Sequence, residues 1–152
     1  MPDDRPEILI YPPIAFGIAM AASYGIYLVY PLSFALPFGP QIGVALCGCA
    51  VVVGASGAGM FRQIGTPISP HKAPRKLATG GIFRLTRNPM YLSLTAILYS
   101  CALMFSNVWA ALMTPLLWGT LHWGVVLPEE RFLTQKFGDE YRELLSSTRR
   151  WL

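Results

Sequence analysis

Apolar and polar positions along this chain are segregated into blocks rather than interleaved. From Ile8 to Phe61 there is no Asp, Glu, Lys, Arg or His, and from Asn88 to Pro128 the one such side chain is His122. A helix rises about 1.5 Å per residue and a bilayer core is about 30 Å thick, so one crossing takes about 20 residues and each block holds two. "PLSFALPFGP" carries Pro31, Pro37 and Pro40, which cannot continue a helix, and divides the first block. "FSNVW" at 105–109 divides the second. The pattern predicts an all-α integral membrane protein with four transmembrane helices near residues 10–30, 41–61, 90–105 and 108–127, joined across the middle by a loop over 62–89. Past Glu129, Phe132, Leu133, Phe137, Tyr141, Leu144 and Leu145 fall three to four apart among charges. This spacing predicts an amphipathic C-terminal helix over 128–146, with Gly138 inside it. The chain reads as a single domain, 1–152.

Composition agrees, with 53% hydrophobic and 13% charged residues and a mean hydropathy of +0.44, well above soluble chains. Charge adds direction. Of the 12 Lys and Arg, Arg62, Lys72, Arg75, Lys76, Arg84 and Arg87 lie in the central loop, the others following Glu129 except for Arg5. Four crossings put both termini and the central loop on one side, which the excess of basic residues makes cytoplasmic. The net charge of +4 then reflects topology and contact with anionic headgroups, and no nucleic acid partner is needed. The opening "MPDDRPE" has three acids and one arginine, unlike a secretory signal, so the first helix is expected to stay as an anchor. Small residues crowd the first two helices: Gly17, Ala21 and Gly25 recur every four, and Ala50, Gly54, Gly57 and Gly59 gather in the second. They favour close helix approach as a scaffold, with a dimer face as the alternative. Cys47, Cys49 and Cys101 read as inert thiols, and no side-chain cluster suits a metal.

The candidate chemistry sits at the two ends of the second block. Tyr91 and Glu129 are 38 residues apart, about 57 Å of helix, so the chain goes up and returns. "TRNPMY" and "PEE" are therefore expected side by side at the cytoplasmic face. Each has a structural reading: Asn88 and Pro89 as N-cap and first turn, and Glu129 and Glu130 as first-turn acids. His122 lies seven residues before Glu129, nearly the same face of a continuous helix, where an ionisable group is costly and tends to face a cavity. Tyr91, Thr95 and Tyr99 repeat every four and make a polar-tipped stripe.

"LATGGIFRLTRNPMYLSL", two crossings and "PEERFLTQKFGDEYREL" resemble the C-terminal half of the isoprenylcysteine carboxyl methyltransferase family and the related phospholipid methyltransferases. The resemblance rests on Arg87, Asn88, Pro89, Tyr91, Glu129, Glu130, Phe137, Gly138 and Tyr141 and covers about residues 66–152. It implies an integral membrane enzyme, here in a bacterial inner membrane, that uses S-adenosylmethionine bound on the cytoplasmic side between the loop before the third helix and the C-terminal helix. The residues expected to bind the cofactor are Gly80 and Gly81, through their amides, Phe83, Arg84, Asn88, Pro89, Tyr91, Glu129, Glu130 and Tyr141, and those expected to be catalytic are Arg87, Glu129 and, as a base for an amine or hydroxyl acceptor, His122. Eukaryotic prenylcysteine enzymes carry His where this chain has Asn88, whereas bacterial relatives often carry Asn. The donor's carboxylate suits Arg or Asn, its ammonium and ribose hydroxyls suit Glu, and its adenine suits an apolar slot. Thr95, Tyr99, Trp118 and His122 are expected to line a lateral opening for a hydrophobic acceptor from the bilayer. The alternatives are a nicotinamide-dependent membrane reductase and a small non-enzymatic transporter or scaffold.

Overall fold

The structure, a computed structural model, describes residues 6–68 and 74–152; Arg5 and Lys72 of the basic set lie outside the described residues. The described residues are helical apart from their connections: α1 (Pro12–Val29), α2 (Gly39–Gln63), a 3₁₀ turn (Gly81–Arg84), α3 (Pro89–Met104), α4 (Val108–Leu121), a π turn (His122–Val126), α5 (Leu127–Phe137) and α6 (Asp139–Ser147). Prolines stand in the first turns of α1, α2 and α3, where a missing N–H removes no helical bond. Asn107 caps α4 by accepting from the Trp109 and Ala110 amides.

Among the described residues three helices are long and apolar enough to cross a membrane: α1, α2, and the continuous helix Val108–Phe137 that joins α4, the π turn and α5. α3 is apolar but 16 residues long, about 24 Å. It lies at the centre, packed against α2 on one side and against α4 and α1 on the other. The α2–α3 seam is tight because α2 has no side chains there. A Cβ on Gly43 would fall 2.7 Å from Met104, one on Gly54 2.5 Å from the Ser93 Oγ, and one on Gly57 3.0 Å from Pro89. Ser93 in turn donates to the Ala50 carbonyl at 2.7 Å. α1 behaves differently: it buries Pro12, Ala15, Ala19 and Ser23, whereas Gly17 and Gly25 have open space where a side chain would stand. The Gly17, Ala21, Gly25 stripe thus faces outward, because the small residues on the neighbouring stripe carry the contact.

At one end, the α1–α2 and α3–α4 connections meet in a short antiparallel bridge between Ser33 and Asn107. Phe34 N–H donates to Ser106, Val108 N–H to Leu32, and the Trp109 indole to Tyr30 at 2.7 Å. At the other end lie the segment before α1, the loop between α2 and α3, and α5 to α6. The amphipathic segment is not one helix over 128–146. Gly138 sits at φ +56°, ψ −123°, a conformation essentially reserved for glycine, and breaks it into α5 and α6. Pro128, four residues on, has no N–H to give the Gly124 carbonyl, which accepts the Leu9 N–H at 2.8 Å instead and so docks the segment before α1.

Candidate functional site

The expected return of the hairpin is closed by two side-chain contacts. The Tyr91 hydroxyl, one turn into α3, donates to Glu129 Oε1 at 2.8 Å. Arg87, just before α3, pairs with Glu130 through Nη2 at 2.9 Å, and their side chains are 9% and 12% exposed. Glu130 is shared: Arg150 grips it through Nε at 2.9 Å and Nη2 at 2.7 Å. The adjacent acids therefore differ in kind. Glu130 is neutralised by two guanidinium groups, while Glu129 meets a neutral phenol.

Arg87 Nη1 also donates to the carbonyls of Leu145 and Thr148. Its Nε is buried without a hydrogen-bond partner, a costly state for a cationic donor. Asn88 holds the N-cap position of α3 but makes no side-chain cap bond. Its Nδ2 donates instead to the Arg150 carbonyl at 3.0 Å, which Thr86 Oγ1 also reaches.

These groups line a cavity of about 110 Å³ between the loop after α2, the start of α3, and α5 to α6. Arg87, Asn88, Tyr91, Glu129 and Glu130 form its polar side, with Lys76. The apolar side comes from the loop (Ile68, Leu77, Ala78), from Phe61 and Phe83, and from Phe132, Leu133 and Leu144. Phe61 and Phe83 stack with centroids 5.2 Å apart. Burial pushes the Tyr141 phenol above its usual range, with Glu130 adding to the effect, so Tyr141 meets the cavity as a neutral hydroxyl. The carboxylate of Glu130 holds the Arg150 proton more firmly.

A family model described as phospholipid methyltransferase matches residues 40–140, most of the chain. The chain belongs to the phospholipid methyltransferase family. Neither the curated proteins nor the solved structures yield a match. The family matched is one of membrane methyltransferases, in agreement with the apolar helices.

Of the residues read from the sequence, Phe83, Arg87, Asn88, Pro89, Tyr91, Glu129, Glu130 and Tyr141 line this one cavity. Gly80 and Gly81 stand behind it, where a Cβ on either would meet the Met60 methyl at 3.2 Å, and Arg84 is exposed. Thr95, Tyr99, Trp118 and His122 are not part of the lining. Four residues advance a helix by 400°, so the Tyr91 stripe drifts outward: Thr95 donates to the Tyr91 carbonyl and Tyr99 is 44% exposed. His122 and Glu129 do not share a face, because the π turn between them inserts an extra residue. His122 stacks on Trp118 with centroids 5.1 Å apart, and its Nδ1 accepts the Trp151 indole proton at 3.2 Å. Sequence reasoning passed over Phe61, Lys76, Phe132, Arg150 and Trp151. Only the aromatic spacing in α5 hinted at one of them.

Proposed function

We propose that the chain is a single membrane methyltransferase domain that transfers a methyl group from S-adenosylmethionine to a hydrophobic acceptor dissolved in the bilayer. One observation carries the reading: the Tyr91–Glu129 contact brings the two family motifs together against an apolar-walled cavity. The residues present fit the donor. Glu129 is the carboxylate not neutralised by arginine and suits an ammonium or ribose hydroxyls. Arg87 Nε is a buried donor without a partner and suits a carboxylate. The Phe61–Phe83 stack offers a flat apolar face for an adenine. Thermal unfolding in detergent tests this directly: S-adenosylhomocysteine should raise the melting temperature and reduced NADP should not. Absence of any S-adenosylhomocysteine effect up to millimolar concentration would sink the proposal.

When bound, the donor supplies an electrophilic methyl on a sulfonium. The chain's own work is to orient and to exclude water. Tyr91 fixes the Glu129 carboxylate by donating to Oε1, while Glu130 fixes Arg87. Met90, Val126, Phe132 and Leu133 wall the cavity with apolar surface, which suits a lipid-like acceptor better than a hydrated one. At about 110 Å³ the cavity is tight for a nucleoside ligand, so binding must part its walls, with α5 and α6 acting as the lid. His122 stands outside the cavity lining, with Nδ1 taken by the Trp151 indole, one face stacked on Trp118 and Trp123 edge-on to it. The excess of basic residues in the loop and after Glu129 supports a cytoplasmic mouth and cytoplasmic chain ends, in a bacterial inner membrane. Mass spectrometry of native-membrane lipids, after incubation with the pure protein and labelled methyl donor, identifies the acceptor.

A further inference from the structure

The segment that follows α6 is hydrogen-bonded into the site along its length. The Arg87 N–H donates to the Arg149 carbonyl at 3.0 Å, Thr86 Oγ1 and Asn88 Nδ2 both donate to the Arg150 carbonyl, and Arg87 Nη1 donates to Thr148. Three consecutive motif residues thus read main-chain oxygens of residues 148–150. The segment answers with side chains: Arg150 forks onto both oxygens of Glu130, and the Trp151 indole donates to His122.

We propose that residues 148–152 form a strap built into the cavity wall, with Arg150 as the positioning residue that holds Glu130, and through Glu130 the Arg87 side chain, in place. Arg87 meets only one of the two Glu130 oxygens, Oε1. Arg150 meets both, so the plane of the carboxylate is set by Arg150. Where Glu130 turns, Arg87 Nη2 turns with it, and the unpartnered Nε on the same rigid guanidinium is re-aimed. This rests on the methyltransferase reading only for what the cavity holds; the strap itself is a matter of hydrogen bonds within the chain.

The test uses the full chain in detergent, with hydrogen exchange of the Arg87 amide, which the Arg149 carbonyl protects, and calorimetry with S-adenosylhomocysteine. In Arg150→Ala the Arg87 amide should exchange faster by about tenfold and S-adenosylhomocysteine should bind about tenfold more weakly, the size expected for one lost, partly exposed bidentate pair. Arg150→Lys keeps the charge but not the fork and should recover only part of the affinity. Should Arg150→Ala not fold, Trp151→Phe, which removes the indole N–H given to His122 and part of the ring packed on Trp118, carries the same comparison with a smaller shift. Unchanged exchange overturns the strap. Faster exchange with unchanged affinity overturns the positioning role. A wild-type protein that does not bind S-adenosylhomocysteine removes the methyltransferase reading instead, and the exchange comparison then decides the strap alone.

Discussion

Exchanging each of the adjacent acids for its amide separates binding from support. The Tyr91 hydroxyl donates to Glu129 at 2.8 Å; in Glu129→Gln the side-chain carbonyl should still accept it and the volume is nearly unchanged, so the fold should tolerate it. What disappears is the carboxyl that can carry a negative charge towards a bound ammonium. A hydrogen bond to a charged group contributes about 1.5–3 kcal/mol net, which at about 1.4 kcal/mol per tenfold predicts S-adenosylhomocysteine binding weakened about 10- to 100-fold. The melting temperature should move by no more than about 2–4 °C, the equivalent of 1 kcal/mol in a chain of this size. Glu130→Gln should behave oppositely in order of effect. It leaves Arg87, 9% exposed, and Arg150, 38% exposed, facing a neutral amide. Breaking a fully buried pair costs about 3–5 kcal/mol. The exposure of Arg150 reduces this to about 2 kcal/mol, or a melting temperature about 4–8 °C lower, with any loss of affinity following from the loosened support. Titration calorimetry and thermal unfolding on the same samples read both quantities. If Glu129→Gln binds S-adenosylhomocysteine as tightly as the unaltered chain, Glu129 is not in the donor site.

Gly54→Ala should lower the melting temperature by the equivalent of about 1–3 kcal/mol, because its Cβ would sit 2.5 Å from the Ser93 Oγ; Ser93→Gly in the same chain should restore part of the loss. Gly138→Ala, forced to φ +56°, should cost about 1–3 kcal/mol and speed amide exchange in α6; unchanged exchange would mean that the break tolerates a side chain. Cysteines placed at Lys76 and Gln135 should be labelled from the same, cytoplasmic side of intact cells, and labelling from opposite sides would refute the shared mouth.

The four apolar segments and the meeting of α3 with α5 were legible because charge is excluded from long blocks and readmitted at their ends. That arithmetic needs no knowledge of packing, and Tyr91 and Glu129 meet 38 positions apart as it requires. Features fixed by rotation about a helix were not legible. The Ala15, Ala19 and Ser23 stripe of α1 and the Gly17, Ala21 and Gly25 stripe both read as small, and only the tertiary partner selects one. The π turn has no sequence mark of its own, yet it decides that His122 joins the tryptophans while Glu129 joins the cavity. The strap was equally hidden, since its bonds to residues 86–88 span about 60 positions and use main-chain oxygens that every sequence possesses. Gly138 was visible but read as an interruption tolerated within one helix, where its positive φ makes it a corner.

The bridge between the α1–α2 and α3–α4 connections bears on how the chain is made. Residues 30–41 and 104–108 contain no charged side chain, so each helical hairpin carries only a neutral turn through the hydrocarbon during insertion, and no ion has to be dehydrated on the way. A bare turn still arrives with unpaired main-chain groups. Here the two turns answer one another, Phe34 to Ser106 and Val108 to Leu32, with the Trp109 indole closing on Tyr30. Insertion and assembly are thereby linked: the second hairpin on reaching the far surface completes the hydrogen bonding of the first, and a chain stalled after α2 would be left with the Phe34 amide looking for water.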